Sequence, residues 1–299
     1  MEMIKIRDLV KSFDTKDRVL DCVDLNVEKG SIYGLVGVNG SGKTTLIKHI
    51  MGILKPDSGS IKIMGEEIYE NTAIKQKMAY VPDELFFYHG FSLKDMSKQY
   101  ASFYKGWSWE KYDSLVSSFG LNEKESLRSF SKGMQKQAYF ILAVSTMPEI
   151  LILDEPIDGL DPIVRKRVWS IIVDEVADRQ MTVLVSSHNL REMEGVCDAI
   201  GIMKNGRVQI ERDIDTLKTD IHKVQVAFTS EVYDPFKGLN VIHEDSRGSV
   251  KLIIAKNSFE EIEDIIGRNN PAVFDVLPLT LEEIFIYELG GGKDEQIFV

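Results

Sequence analysis

Gly37-Val38-Asn39-Gly40-Ser41-Gly42-Lys43-Thr44 fits the pattern G-x-x-x-x-G-K-[ST], and its neighbours are the ones that pattern requires. Before it, Ile32-Tyr33-Gly34-Leu35-Val36 reads as a short buried strand. After it, Leu46, Ile47, Ile50, Met51 and Leu54 fall on one face of a helix. Glycines let the backbone curl so that successive N–H groups aim at phosphate oxygens, and the start of the helix adds partial positive charge. Lys43 supplies a point charge for β- and γ-phosphates, and the Thr44 hydroxyl a ligand for Mg²⁺. A glycine-rich turn with an incidental lysine is the plain alternative, and the flanking strand and helix speak against it. The stretch predicts a site for a nucleoside triphosphate on an α/β fold.

A second stretch narrows the chemistry, because this loop alone would permit a GTPase, a kinase or a motor. Glu149-Ile150-Leu151-Ile152-Leu153-Asp154-Glu155-Pro156 is an apolar strand ending in two acids. Asp154 at the end of a buried run sets a carboxylate beside a Mg²⁺ shell, and Glu155 is then poised to polarise an attacking water as general base. Acids at strand ends are common; the pair gains its meaning from the phosphate loop. Between the two stretches lies Ser129-Phe130-Ser131-Lys132-Gly133-Met134-Gln135. Ser131 is placed to cap a helix whose first turn offers N–H groups, and Gly133 allows an anion to approach. Standing alone, this segment would read equally well as an ordinary capped helix. Downstream, Gly159-Leu160-Asp161-Pro162 is a turn, and Ser186-Ser187-His188 closes the strand Thr182–Val185. His188 then stands at the carboxyl edge of a parallel sheet, where ligands bind.

Taken in order, these residues resemble the nucleotide-binding subunits of ABC transporters. The order is phosphate loop, Tyr80-Val81-Pro82, the segment Ser131–Gln135, Asp154-Glu155-Pro156, Gly159-Leu160-Asp161-Pro162 and Ser186-Ser187-His188, and the likeness covers residues 1 to about 220. The resemblance implies that Gly37, Asn39, Gly40, Ser41, Gly42, Lys43, Thr44 and Thr45 hold the phosphates of ATP, and that Phe13 stacks on its adenine. Thr44 and Asp154, with Asp83, would serve the Mg²⁺ shell. Glu155 would be the base, and His188 would contact the γ-phosphate. Ser131 and Gly133 would reach ATP bound to the opposite subunit of a sandwich dimer, with Asp161 lining that interface. The second subunit would be another copy or a close relative, and an integral membrane permease would be the further partner. That places the chain, by expectation, at the cytoplasmic face of the membrane as a peripheral subunit.

The chain also departs from the family pattern. Asp83, followed by Glu84, stands where many members carry glutamine; a carboxylate accepts from a metal-bound water but does not donate as an amide does. The common Leu-Ser-Gly-Gly-Gln becomes Phe130-Ser131-Lys132-Gly133-Met134, a variant similar to those of bacterial subunits that export drugs, antibiotics or lipids. Leu281-Glu282-Glu283-Ile284-Phe285 resembles the ending of such subunits.

Bulk properties set the frame for this reading. A chain of 299 residues with 43% hydrophobic and 28% charged residues has room for one large domain or two. A net charge of −11 argues against nucleic acid as a partner. Cys22 and Cys197, the two cysteines, lack the spacing of a metal site or a disulfide framework. The first residues lack the apolar core of a signal peptide, and no apolar run reaches the roughly 20 residues of a membrane span. The expected division is an ATP-binding domain over 1–219, with a helical insertion at about 92–147, and a small α+β appendage over 220–299. The first domain would combine a mixed sheet with an antiparallel subdomain. Within it, residues 3–36 read as short strands around a turn at Asp14–Asp17, and Ile61–Met64 as another. Strands at 150–153, 182–186 and 199–203 alternate with helices, and Asn205-Gly206 is a hairpin turn. In the appendage Val224, Val226 and Phe228 alternate, as do Val250, Leu252 and Ile254. Ser258-x-x-Glu261 and Thr280-x-x-Glu283 are capping boxes, and the second helix turns Leu281, Ile284, Phe285 and Leu289 to one face before Gly290–Gly292. Phe86, Phe87, Tyr88 and Phe91 form an aromatic run suited equally to a protein-binding patch and to packing.

Two other functional classes were open on these residues. A non-transport ATPase of the same family typically needs tandem modules, a long coiled coil or basic surfaces, and this chain shows one phosphate loop and an excess of acid. A sensor that holds ATP without turnover would not need Glu155 and His188.

Overall fold

The computed structural model describes residues 2–13, 17–229 and 234–288, and the sheets, cavities and contacts given below are those of the described residues. The chain divides into two compact units: 1–189 with 195–211, and 190–194 with 212–299. The expected boundary at 219 falls inside the helix Ile214–Asp220, which belongs to the second unit.

The first unit begins with two paired antiparallel strands, β1 (Glu2–Ser12) and β2 (Arg18–Glu28). They are longer than the short strands expected of this stretch; residues 14–16 of the expected turn lie outside the described residues. Next come β3 (Ile32–Val36), α1 (Lys43–Ile50), β4 (Ser58–Ile63), β5 (Glu66–Glu67), α2 (Thr72–Lys75) and β6 (Met78–Val81). A four-stranded sheet of order β2-β1-β4-β5 results. β4 starts at Ser58, earlier than the Ile61 expected, because Ser58 and Ser60 already pair with Val10 and Arg7 of β1.

The helical stretch follows as α3 (Leu93–Phe103), α4 (Trp109–Phe119) and α5 (Lys132–Ser145). Each begins at a serine cap, Ser92, Ser108 or Ser131, whose hydroxyl accepts an otherwise orphaned backbone N–H. Trp107 and Trp109 pack edge to face against each other at 5.4 Å and both meet Tyr112. The aromatic run after Asp83 divides: Phe87 is buried against Tyr139, whereas Phe86 and Tyr88 are exposed.

β7 (Ile150–Asp154), α6 (Pro162–Arg179), β8 (Thr182–Ser187), β9 (Ala199–Lys204) and β10 (Arg207–Asp213) complete a six-stranded sheet of order β10-β9-β3-β8-β7-β6. The pairs β9–β3, β3–β8, β8–β7 and β7–β6 are parallel. β9 and β10 are joined through Asn205 and Gly206, both at positive φ (51° and 74°), the requirement of a tight hairpin turn. β3, β7 and β8 are buried along their whole length, as strands covered on both faces must be.

One contact in this sheet gives a stability test. Tyr33 of β3 is 1% exposed and donates from Oη to Glu211 Oε1 at 3.1 Å. A Cβ added at Gly201 would fall 2.2 Å from that Oη. The ring has nowhere to go, so Gly201→Ala is expected to destabilise the chain by about 1–3 kcal/mol. The melting temperature should fall accordingly, and Tyr33→Phe in the same chain should recover part of the loss by removing the clashing oxygen. A Gly201→Ala melt identical to wild type would show that the sheet opens to admit the methyl group.

The second unit comprises α7 (Ile214–Asp220), β11 (His222–Ala227), β12 (Val241–Arg247), β13 (Val250–Ala255), α8 (Phe259–Gly267), β14 (Val273–Leu277) and α9 (Leu281–Glu288). Its antiparallel sheet has the order β12-β13-β11-β14. Val224 and Val226 of β11 pack with Ile253, Ala255, Ile262 and Ile266. Ile253 and Ala255 thus belong to this core; of the alternating set, Ile254 is buried as well, while Val250 and Leu252 are half-buried. β13 is apolar on both parities at its end, which hides the core face from a pattern reading. Ser258 accepts from the Glu261 N–H, and Thr280 and Glu283 exchange side-chain-to-backbone hydrogen bonds in both directions. Leu281 and Ile284 are buried; the side chain of Phe285, and the whole of Leu289 and Gly290–Gly292, lie outside the described residues. Among the described residues no helix is long and apolar enough to cross a membrane.

Candidate functional site

Parallel pairing brings the sequence motifs to one edge. Val36 is level with Ser187, Asp154 with Ser186, and Val81 with Leu153. The segments after β3, β6, β7 and β8 thus leave the sheet side by side at its carboxyl end, where an open α/β sheet binds ligands. They carry the phosphate loop, Asp83, Asp154-Glu155 and His188 respectively.

The loop after β3 wraps a concavity. Gly42 caps α1 at φ 108°, a conformation that only glycine adopts freely. Gly37 is fixed for another reason: a Cβ there would lie 2.3 Å from the Met203 carbonyl oxygen of the neighbouring β9. A cavity of about 230 Å³ is lined by Val19, the run Asn39–Thr45, Asp83 and Glu155. It therefore joins most of the expected phosphate ligands to two of the expected acids. Phe13 is 59% exposed, as a ring that meets a base from solvent would be.

Inside the site the charges pair with one another. Lys43 is 6% exposed; its ammonium donates to the Gly37 carbonyl at 2.6 Å and faces Glu155 Oε1 at 3.4 Å. The other oxygen of Glu155 lies 3.0 Å from His188 Nδ1. Asp154 is buried and accepts on Oδ1 from the Ser186 hydroxyl at 2.5 Å, while its Oδ2 has no hydrogen-bond partner. Ser41 Oγ is likewise buried and unpartnered. A buried carboxylate oxygen left bare costs free energy unless something cationic or a donor reaches it. The donor set thus fits a hard divalent cation with oxygen ligands. No group of three or more His, Cys, Asp or Glu among the described residues forms a metal cage on its own. A cation there would rely on phosphate oxygens for the remaining ligands, which is how Mg²⁺ usually binds.

Two participants escaped the sequence reading. Tyr80, on β6, has its phenol pushed above the ordinary value by burial and by the neighbouring Asp154 carboxylate. Lys136, on α5, donates to the Glu155 carbonyl at 2.8 Å and lies 3.4 Å from Asp83 Oδ1. Tyr80 was legible only as part of a strand end, and Lys136 carries no local signal at all.

Ser131, Gly133 and Asp161 are not among the residues lining the phosphate cavity. Ser131 caps α5, accepting from the Met134 N–H at 3.3 Å, and is exposed. Gly133 neighbours Leu160 and Gly159. Asp161 is exposed as well, and its carboxylate accepts from the Ile163 and Val164 N–H groups at the start of α6.

Comparison with known proteins agrees with this edge. The family profile described as "ABC transporter" matches residues 20–158. The ABC transporter ATP-binding protein YtrB of Bacillus subtilis (strain 168) is 34% identical over 97% of this chain and 99% of its own length. The bacitracin transport ATP-binding protein BcrA of Bacillus licheniformis is 30% identical over 97% of this chain and 98% of its own. A solved structure described as an ATP-binding subunit of an ABC transporter superposes with a TM-score of 0.67 at 30% identity, covering 72% of this chain and 92% of that one. Since the likeness to curated relatives runs nearly end to end, both units included, this chain belongs to the ATP-binding subunits of ABC transporters, a family of ATPases.

Proposed function

We propose that two such chains, or one chain and a close relative, clamp two ATP molecules between them, hydrolyse them, and thereby drive a separate membrane permease. The observation that carries this reading is the separation of two phosphate-directed features. The phosphate cavity is lined by Lys43 and Glu155 among others, while Ser131, exposed at the start of α5, is not among its lining residues. A second molecule placed face to face supplies what each lacks.

In this reading Gly37, Asn39–Thr45 and Lys43 bind the triphosphate, and Phe13 packs on the base. Mg²⁺ adds electrostatic stabilisation of the phosphoryl oxygens when bound. Thr44 and the bare Oδ2 of Asp154 would hold it, with Asp83 at the rim. Arrival of the γ-phosphate draws Lys43 away from Glu155, and the freed carboxylate accepts a proton from the attacking water. His188, already against Glu155, donates toward the γ-phosphate. Residues 1–189 with 195–211 serve as the ATPase domain and the rest as an appendage. Its membrane location would be peripheral, through the permease.

The relative named for bacitracin transport, together with the Phe130-Ser131-Lys132-Gly133-Met134 variant, supports export of a drug, antibiotic, peptide or lipid as the cargo class. The test of the dimer is direct. A Glu155→Gln chain with saturating ATP and Mg²⁺ should double in mass by light scattering, and Ser131→Arg in that background should return it to monomer. Persistence of a monomer in the first case, or turnover untouched by Ser131→Arg alone, would end the proposal.

A further inference from the structure

Lys136 sits in the second turn of α5. Its side chain is only 12% exposed, so the ammonium is largely withdrawn from water. An ammonium so withdrawn needs partners, and it has two: the Glu155 carbonyl oxygen at 2.8 Å and the Asp83 carboxylate at 3.4 Å.

The carbonyl it holds belongs to a strained residue. Glu155 has φ 48°, in the left-handed region that costs a side-chain-bearing residue free energy. Its N–H faces the Ser186 carbonyl at 3.3 Å and the Ser186 hydroxyl at 3.2 Å. The Glu155 backbone is therefore pinned from both sides, by β8 through its N–H and by α5 through its C=O. With φ fixed, the carboxylate is directed between Lys43 and His188.

We infer that Lys136 is a positioning residue for hydrolysis, which holds the Glu155 backbone in its left-handed conformation and so aims the carboxylate. The inference rests on the reading of Glu155 as general base. It also gives α5 a second task. The helix that begins at Ser131, directed at the partner's nucleotide, ends its second turn on the base of its own site. Docking on one ATP and aiming at the other are thereby carried by one rigid element.

Without the ammonium, Glu155 is free to relax to negative φ, which swings its carboxylate out of line. A misplacement of this kind costs about 10- to 100-fold in rate. Lys136→Met in the full chain is therefore expected to lower kcat by that factor and to leave the Kd for ATP within about twofold, because Lys136 does not line the phosphate cavity. Lys136→Arg should restore kcat to within a few-fold, since a guanidinium also donates to a carbonyl. In single-turnover measurements on a Glu155→Gln background, Lys136→Met should add no further loss, because both changes act through one group. Where Lys136→Met melts below assay temperature, Lys136→Gln, which keeps an N–H donor and removes the charge, is measured against Lys136→Arg in its place. Unchanged kcat in Lys136→Met, a loss that adds fully to that of Glu155→Gln, or a parallel fall in ATP affinity would each overturn the inference. If Glu155→Gln alone turns over like wild type, it is the general-base reading that fails, and this inference falls with it.

Discussion

Replacing Glu155 by glutamine is expected to cut steady-state ATP hydrolysis by about 10²–10⁴-fold, equal to about 3–5 kcal/mol of transition-state stabilisation. The two side chains have the same shape, and the difference is confined to the terminal group. An amide does not take the proton of a water, whereas the carboxylate does. Binding should survive, because the loop amides of Asn39–Thr45 and the Lys43 ammonium are untouched. Indeed Lys43 faces Glu155 Oε1 at 3.4 Å, so neutralising that carboxylate leaves the ammonium more available to phosphate. ATP affinity should hold or rise while turnover collapses. The split between kcat and Kd is the signature to seek, with phosphate release and a fluorescent nucleotide as the two readouts. His188→Ala should fall in the same direction by a smaller factor, since His188 meets Glu155 at 3.0 Å. Equal and negligible hydrolysis in wild type and Glu155→Gln would instead favour an ATP-holding sensor.

How far the sequence could be read depended on the range of the interactions involved. The phosphate loop and the Asp154-Glu155 pair were legible because their chemistry is local: a strand, a turn and a helix in succession, with fixed residue types at fixed offsets. The serine caps of α3 and α5 were legible for the same reason, since a hydroxyl and the N–H it accepts lie three residues apart. Lys136 was not, because its partner Glu155 is reached only after α5 packs against the loop beyond β7. The bare Oδ2 of Asp154 was also out of reach, since burial and missing partners belong to the folded surroundings. In β13 the alternation of Val250, Leu252 and Ile254 does not identify a core face, because Ile253, Ile254 and Ala255 are all buried. Asp161 shows a further limit. Its carboxylate is engaged at the start of α6 by two backbone N–H groups, a structural use that a role at an interface does not require.

Lys43→Met is expected to weaken ATP binding by about 2–5 kcal/mol, or roughly thirty- to several-thousand-fold in Kd. Methionine keeps the apolar stem that packs in the site and removes only the charge, so the loop should stay in place. Two electrostatic losses then coincide. The β- and γ-phosphates lose their point cation, and the Glu155 carboxylate, 13% exposed, is left facing them without its counter-charge. The second loss has its own consequence in the absence of nucleotide. Removing one partner of a buried ion pair costs as much as about 3–5 kcal/mol, because the other charge stays desolvated, and here His188 offsets part of it. The melting temperature of nucleotide-free Lys43→Met should therefore drop below that of wild type. Combining it with Glu155→Gln should recover both the melting temperature and part of the affinity, as the uncompensated carboxylate is gone. Such recovery is hard to obtain from a misfolded loop. If instead the double variant binds ATP as poorly as Lys43→Met and melts no higher, Lys43 and Glu155 are not electrostatic partners in solution. The exchange of Lys43 from carboxylate to phosphate would then be no part of the hydrolytic cycle.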